Sequence, residues 1–287
     1  TYPCILKGYL QMSIIGIIHP GAMGASVGSA ANQKGHRIIW ASSGLSKESK
    51  ERASRAELFD CNTVANMVDQ SDVIISVCPP HAAEDVATEV VNYGFTGIFV
   101  DANAIAPERT RRIGQRLQDA GAKFVDGGII GGPAWSTEAN TKLYLSGDHA
   151  ESIANIFANT PLNANVISNH IGSASALKMV FAAYTKGTSA LLAAILAVAE
   201  KEGVRANLES QWGADFTRRT HQGVLKNTAK AWRFEGEMRE IADTFRLAGY
   251  PSGFHEAAAE IFALLEGFKK VPAKNLSEVL ATMVNSD

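Results

Sequence analysis

The sequence predicts an α/β domain with a mostly parallel sheet, followed by an all-α domain. Between residues 12 and 169, short Val/Ile-rich runs alternate with Ala-rich amphipathic stretches, a pattern typical of βαβ units. After about Gly172, long Ala-, Leu-, Glu- and Lys-rich stretches replace these runs. The length of 287 residues also corresponds to about two domains. We therefore predict one domain over residues 12–169 and a second over residues 170–287.

Six apolar runs are the predicted strands of the first domain. Their length and apolar content are typical of strands buried on both faces of a sheet. They are Ser13–Ile18, Arg37–Trp40, Val73–Val77, Gly97–Asp101, Lys123–Gly127 and Lys142–Ser146. In the second domain, Gly172–Glu202 is predicted as one long helix, because most of its apolar residues recur with helical spacing. Further helices are separated by breaks at Gly203, Gly213, Gly249–Pro251 and Pro272.

The composition excludes several other classes of protein. Lys and Arg number 27 against 29 Asp and Glu, so a nucleic-acid binder with a strongly basic surface is not expected. Three cysteines, Cys4, Cys61 and Cys78, are too few for a disulfide scaffold, and the seven histidines show no metal-ligand spacing. The longest strongly apolar run, Ala190–Ala199, is about half a membrane span. We expect a cytoplasmic protein without a bound metal and without nucleic-acid or membrane partners.

Residues 1–11 precede the first predicted strand. Lys7 and Gly8 interrupt their apolar stretch, and no small-residue cleavage site follows a proper apolar core, so a signal peptide is not expected. We interpret these residues as an uninformative extension, with Met12 as a candidate biological start.

A glycine-containing turn joins the first predicted strand to the first predicted helix. This glycine turn reads His19-Pro20-Gly21-Ala22-Met23-Gly24. In dinucleotide folds such a turn leads into a helix N-terminus that binds phosphate. Gly21 would let the backbone approach the pyrophosphate, and Gly24 would let the helix pack on the strand. Although His19 replaces the usual first glycine, the context favours a Rossmann-type, dinucleotide-binding domain over a purely structural turn.

The end of the second predicted strand distinguishes NAD from NADP. Domains that bind NAD place an acidic residue there for the ribose hydroxyls, but no acidic residue occurs before Glu48. The hydroxyls of Ser42 and Ser43 suit a 2′-phosphate. Basic residues nearby are Lys47, Lys50 and Arg52. We therefore predict NADP, with NAD as the alternative; a solvated loop is the other interpretation of these residues.

Five motifs in this order resemble the β-hydroxyacid dehydrogenases, which include 3-hydroxyisobutyrate and 6-phosphogluconate dehydrogenases. The chain looks most similar to an uncharacterised, 6-phosphogluconate-dehydrogenase-like branch. The motifs are the glycine turn, Ser76–Pro80, Asp101–Pro107, Asp126–Pro133 and Gly172–Val180. The resemblance covers nearly all of residues 12–287. It implies a homodimer formed through the helical domain and hydride transfer between a nicotinamide and a small-molecule substrate.

The resemblance also implies residues that contact the cofactor. Cys78 and Pro79 would line the nicotinamide end of its site. Asn103, or its neighbour Ala104, falls where family members place a polar group near the nicotinamide ribose and the substrate.

Glycine pairs and one histidine are candidates for substrate binding. Gly131 and Gly132 match the family's substrate-binding glycines. This pair and Gly127-Gly128 either present backbone N–H groups to a carboxylate or form flexible turns. His255, which follows a Gly-Tyr-Pro break, either enters the active site of a dimer or is a packed or exposed histidine.

Lys178 matches the family's catalytic lysine. From the sequence alone, this lysine either extends to solvent over neighbouring alanines or takes part in catalysis. Oxidation of an alcohol requires a hydride to leave carbon and a proton to leave oxygen, and an amine at hydrogen-bond distance can accept that proton. Burial and the positive charge of oxidised nicotinamide would both lower the pKa of the amine, whereas an arginine would stay protonated.

Four positions depart from the family pattern. Ile130 replaces a serine that contacts substrate, and Ala182 replaces an asparagine one turn after the lysine. Thr185 and Phe181 stand where 6-phosphogluconate dehydrogenases have a glutamate and a histidine. We therefore do not expect a true 6-phosphogluconate dehydrogenase, and we expect a more apolar pocket than is usual in the family.

The predicted function is an NADP-dependent oxidoreductase that acts on a hydroxy or oxo substrate. Reduction of a C=N bond is one alternative, since imine reductases resemble this architecture, although they usually carry Asp or Tyr where Lys178 stands. A nucleotide-binding regulator without turnover is another, suggested by the loss of the serine and the asparagine.

Overall fold

A computed structural model describes residues 12–269 and 271–285, and groups them into two compact units. The first unit contains residues 12–78, 82–103 and 112–171, and the second contains residues 79–81, 104–111 and 172–285. The interpretation of residues 1–11 as an extension, Cys4 included, lies outside the described residues.

A single sheet runs through the described part of the first unit. Its strands are β1 (Ile14–Ile18), β2 (Arg37–Trp40), β3 (Phe59–Asp60), β4 (Val73–Ser76), β5 (Ile98–Asp101), β6 (Lys123–Ile130), β7 (Thr141–Ser146) and β8 (Leu162–Ser168). They lie in the order β3-β2-β1-β4-β5-β6-β7-β8, and all neighbours are parallel except β6 and β7. The predicted α/β class with a mostly parallel sheet is confirmed.

All six predicted strands are present, but three features of the sheet differ from expectation. β3 was not predicted, because it has two exposed residues and no apolar run. β8 was not predicted either, because its sequence LNANVIS contains asparagines, which are depleted in strands. β6 continues past its predicted end at Gly127, since Gly128, Ile129 and Ile130 also pair with β7. The interpretation of Gly127-Gly128 as a turn is therefore wrong.

Helices alternate with these strands. They are α1 (Ala22–Asn32), α2 (Lys47–Arg55), α3 (Val64–Gln70), α4 (Ala83–Asn92), α5 (Pro107–Asp119) and α6 (Ala150–Ile156). Consecutive strand residues such as Ile74 and Ile75 are both buried. Since successive strand side chains point to opposite faces, both faces of the sheet are covered, which explains the continuous apolar runs.

The second unit is helical. Its elements after residue 172 include α7 (Ser173–Ala182), α8 (Thr188–Lys201), α9 (Arg205–Trp212), α10 (Ala214–Thr228), α11 (Ala231–Leu247), α12 (Gly253–Ala263) and α13 (Leu276–Val284). A π-helical turn, Ala183–Gly187, joins α7 to α8. The predicted long helix is therefore present, with a π turn that the apolar pattern did not reveal.

The stretch from α7 to α8 is, among the described residues, the one helical segment with the length and apolar character to span a bilayer. It also contributes buried side chains to the core of its own unit, among them Met179 and Leu196. Other apolar side chains of the same stretch, such as Tyr184 and Val198, are exposed.

The second unit also includes residues 104–111, which follow β5 in the chain. The Ala106 N–H donates to Oε2 of Glu240 on α11 at 2.8 Å, and Arg109 forms an ion pair with the same carboxylate. The hydroxyls of Thr110 and Ser175 lie 2.9 Å apart. These contacts join the start of α5 to α7 and α11.

Candidate functional site

The glycine turn is tight, and its backbone takes a left-handed conformation at His19. The Gly21 N–H donates to the His19 carbonyl at 2.7 Å. His19 has a φ of 59°, the left-handed conformation in which glycine is favoured, so a histidine adopts the backbone shape usually supplied by glycine. A Cβ at Gly24 would lie 2.8 Å from the His19 carbonyl oxygen. Gly24 therefore makes room for the turn, while Gly28 provides the close approach of α1 to β1 and β2.

Helix α1 begins at this turn with an N-terminus that suits an anion. Its N-cap, Gly21, forms no side-chain cap, and its first turn contains no acidic residue. In α2 and α3, by contrast, the side chains of Ser46 and Thr63 accept from backbone N–H groups. The N–H groups and partial positive charge at the start of α1 can therefore serve a phosphate.

A basic side chain reaches the glycine turn from α2. Arg52 Nε donates to the Pro20 carbonyl at 3.3 Å, and its Nη2 donates to Ser49 Oγ at 3.2 Å. Ser42 is buried and Ser43 is exposed in the loop after β2. The start of α1 and Arg52 therefore place hydrogen-bond donors beside the glycine turn, and the predicted contact of this turn with a dinucleotide phosphate stays a prediction.

Asn103 connects the ends of two neighbouring strands. Its Oδ1 accepts from the Cys78 N–H at 2.6 Å, and its Nδ2 donates to Ser76 Oγ at 3.1 Å. Its own N–H donates to Asp101 Oδ1 at 2.9 Å, and the residue is buried. The Asn103 amide therefore fixes the backbone at Cys78, whose predicted place beside the nicotinamide, like that of Pro79, stays a prediction. Contact of Asn103 with ribose or substrate also stays a prediction.

Gly131 and Gly132 are exposed at the end of β6. Gly131 has a φ of 131°, and a Cβ there would lie 2.9 Å from the backbone of Thr141. The Thr141 hydroxyl donates to the Gly132 carbonyl at 2.6 Å. These contacts define the shape of the loop, and its predicted role in substrate binding stays a prediction.

His255 is buried in the second unit. Its ring centroid lies 4.2 Å from that of Phe245 and 5.3 Å from that of Phe254. Within the described residues, its Nδ1 has no hydrogen-bond partner, and burial lowers its pKa. The predicted contact of His255 with substrate stays a prediction.

Four charged residues form a cluster in the second unit. This Lys178 cluster contains Lys178 on α7, Lys186 in the π turn, and Arg233 and Glu237 on α11. Lys186 Nζ lies 2.8 Å from Glu237 Oε2, and Arg233 Nε lies 4.0 Å from Glu237 Oε1. Lys186 Nζ also lies 5.0 Å from the ring centroid of Phe234. The cluster thus surrounds one carboxylate with several cations.

The surroundings of Lys178 lower its pKa toward neutral pH. Burial, with the positive charges of Lys186 and Arg233, lowers the pKa of Lys178 to about 8, although Glu237 opposes the change. Burial alone would raise the pKa of Glu237, but the positive charges of Lys186, Lys178 and Arg233 outweigh burial and lower it. Glu237 is therefore ionised, and Lys178 can act as a proton donor or acceptor near neutral pH.

Sequence reasoning missed Lys186, Arg233 and Glu237. An α-helix rotates about 100° per residue, so an uninterrupted helix would place Lys186 about 80° around the axis from Lys178. The π turn accommodates an extra residue and returns Lys186 toward the face of Lys178. Glu237 and Arg233 belong to another helix, and only tertiary packing brings them to the cluster. In the described residues, no group of three His, Cys, Asp or Glu side chains could hold a metal.

Two family models match the chain. One, described as the NAD binding domain of 6-phosphogluconate dehydrogenase, matches residues 14–167, which is more than half of the sequence. The other, a domain of unknown function called DUF1932, matches residues 198–265, which include Arg233 and Glu237.

Individual relatives include two proteins of unknown function and one oxidoreductase. An uncharacterised 28.5 kDa protein of Methanothermus fervidus is 32% identical over 161 residues, 56% of this chain and 61% of that protein's length. An NADH-dependent oxidoreductase of Aspergillus ustus is 26% identical over 236 residues, 79% of this chain and 81% of that protein. A solved conserved protein of unknown function, described as structurally similar to 3-hydroxyacid dehydrogenases, is 27% identical. It aligns with a TM-score of 0.63 over 88% of this chain and 97% of its own.

Proposed function

Because the chain belongs to the family defined by the NAD binding domain of 6-phosphogluconate dehydrogenase, we propose that it is an NADP-dependent oxidoreductase acting on a hydroxy or oxo substrate. The family accounts for NAD(P) binding and for redox chemistry. The observation that supports a hydroxy or oxo substrate is the Lys178 amine, whose pKa of about 8 suits proton transfer. Its surroundings favour a proton-transfer group over a lysine extended to solvent.

Lys178 accepts or donates the proton of the reaction. During oxidation, its neutral amine accepts the proton of the substrate hydroxyl while a hydride leaves the carbon. During reduction, its ammonium returns the proton to the carbonyl oxygen. The bound nicotinamide supplies the acceptor or donor of the hydride. Since the pKa of Lys178 is about 8, both protonation states are populated near neutral pH.

Arg52 supports NADP as the cofactor. A guanidinium beside the glycine turn suits a 2′-phosphate, as do the hydroxyls of Ser42 and Ser43. We expect Arg52→Gln to weaken NADPH binding by about tenfold and to change NADH binding little, measured by fluorescence titration. Arg55→Gln, on the same helix, is the control because its guanidinium stacks on Trp135 instead. Equal weakening of both nucleotides would contradict a contact of Arg52 with the 2′-phosphate, because NADPH and NADH share all their other groups.

A substrate screen tests the reaction itself. Purified protein is mixed with NADPH and with ketones, semialdehydes or cyclic imines, while absorbance reports nicotinamide oxidation. Carbonyl reduction that Lys178→Met abolishes would support the proposal. Turnover of imines alone would favour a C=N reductase, and binding of cofactor without any turnover would favour a regulator. Absence of NADPH binding at millimolar concentration would contradict the proposal.

We also propose a homodimer formed through the helical unit, in the cytoplasm and without nucleic-acid or membrane partners. Five large apolar side chains on the stretch from α7 to α8 are 43–72% exposed, which suits contact with a second copy. They are Val180, Phe181, Tyr184, Leu191 and Val198. Analytical ultracentrifugation at micromolar concentration tests this proposal, and a monomer would contradict it.

A further inference from the structure

We propose that Glu237 is a positioning residue for Lys178: held in a buried ion pair with Lys186, its carboxylate stabilises the protonated Lys178 amine, whereas the Lys186 ammonium opposes that protonation. The catalytic meaning of this inference rests on the proposed function. The charge relationship itself can be measured without cofactor or substrate.

The Lys186–Glu237 pair is the structural basis of the proposal. The two side chains are 13% and 10% exposed, and their charged atoms lie 2.8 Å apart. Removal of two charges from water offsets much of their attraction, so a buried pair contributes little net stability. Stability alone therefore does not account for placing it beside another lysine.

Two backbone features bring the pair to Lys178. The π turn returns Lys186 toward the face of α7 that carries Lys178. Helix α11 packs against both α7 and the π turn and supplies Glu237 and Arg233. The charges that act on Lys178 are thus Lys186 from the π turn, and Arg233 and Glu237 from α11.

These charges have opposite effects on the Lys178 amine. Glu237 favours the ammonium form, whereas Lys186 and Arg233 favour the neutral form. Loss of the Glu237 charge leaves the amine facing cations, so its proton should leave at lower pH. Loss of the Lys186 charge should have the reverse effect. A purely structural role for the pair would not produce shifts of opposite sign.

Competitive labelling measures the pKa of the Lys178 amine directly. The cofactor-free protein reacts with trace acetic anhydride across a pH series, and mass spectrometry follows the peptide that carries Lys178. We expect the wild-type labelling midpoint near the Lys178 pKa of about 8. Glu237→Gln should lower the midpoint by about one pH unit, and Lys186→Gln should raise it. Glu237→Asp, which keeps the carboxylate, should restore most of the wild-type midpoint.

Asp243→Asn is the matched control. Asp243 lies on the same helix and pairs with Arg246 at 2.7 Å, but its side chain is half-exposed, so the midpoint should not move. Circular dichroism checks folding; if Glu237→Gln does not fold, Lys186→Gln and Glu237→Asp decide the matter. An unchanged midpoint in the Gln variants, or shifts of the same sign, would overturn the proposal.

The two proposals fail in different ways. Absence of NADPH turnover in the wild type would contradict the proposed function but would leave the labelling shifts intact. Unchanged labelling in an active enzyme would overturn the role of Glu237 alone.

Discussion

The glycine turn and the Lys178 cluster are built from different parts of the polypeptide. The glycine turn uses the backbone of six consecutive residues, so it tolerates His19 where glycine is usual but has no space for a side chain at Gly24. The Lys178 cluster uses side chains from α7, the π turn and α11. A site made of backbone is sensitive to volume, whereas a site made of charges is sensitive to each ionised group.

Lys178→Met should have the largest effect of any single change. Loss of a positioned acid or base slows proton transfer by about 10²–10⁴-fold, so NADPH-dependent turnover should fall by that factor. NADPH binding, followed by a thermal-shift titration, should remain. Lys201→Met, at the exposed end of the same helical stretch, is the control and should retain turnover. Undiminished activity in Lys178→Met would contradict the role of Lys178 in proton transfer.

Asn103→Ala should destabilise the first unit in the absence of cofactor. It removes the acceptor of the Cys78 N–H and the donor to Ser76 Oγ, which should cost about 2 kcal/mol of unfolding free energy. Urea unfolding measures this change. The exposed Asn66→Ala, which also loses one side-chain hydrogen bond, should cost less. Unchanged stability in Asn103→Ala would point to a role limited to ligand contact.

Gly24→Ala tests the sensitivity of the glycine turn to volume. The new Cβ would meet the His19 carbonyl oxygen at 2.8 Å, so we expect a loss of about 1–3 kcal/mol in unfolding free energy and weaker NADPH binding. Gly223→Ala is the control, because a Cβ there meets nothing within 4 Å. It should stabilise α10 by about 0.4–1 kcal/mol. Equal results for the two variants would contradict a volume-limited turn.

Acid should have a smaller effect, through His36 in the first unit. His36 is buried, its Nδ1 accepts from the Ser13 N–H at 3.3 Å, and burial with the charge of Lys34 lowers its pKa below 6.5. The neutral form therefore stabilises the fold above pH 6.5, and this contribution is lost as the pH falls from 6.5 through the folded-state pKa. His36→Asn should flatten this decline, because the variant has no imidazole to protonate. The exposed His170→Asn should leave the decline unchanged in urea unfolding at pH 8 and 5.5.

The same contrast explains which features the sequence could predict. The glycine turn consists of adjacent residues between a strand and a helix, so a local pattern identified it. Lys178 could be identified by resemblance, but its partners could not, because a π turn and a separate helix bring Lys186 and Glu237 together. β8 was missed because its alternating asparagines are unusual in a strand. Gly127-Gly128 was interpreted either as an anion-binding pair or as a turn, because glycine is rare in strands.

Residues 104–111 have a practical consequence for dissection of the chain. A fragment that starts at residue 172 would omit Arg109 and the Ala106 N–H, both of which satisfy the buried Glu240 carboxylate. It would also omit the Thr110 hydroxyl that meets Ser175. An excised helical region would therefore lose these partners of the Glu240 carboxylate and expose the surface that residues 104–111 cover. Chimaeras and truncations that preserve this unit must retain the short segment after β5 together with the C-terminal helices.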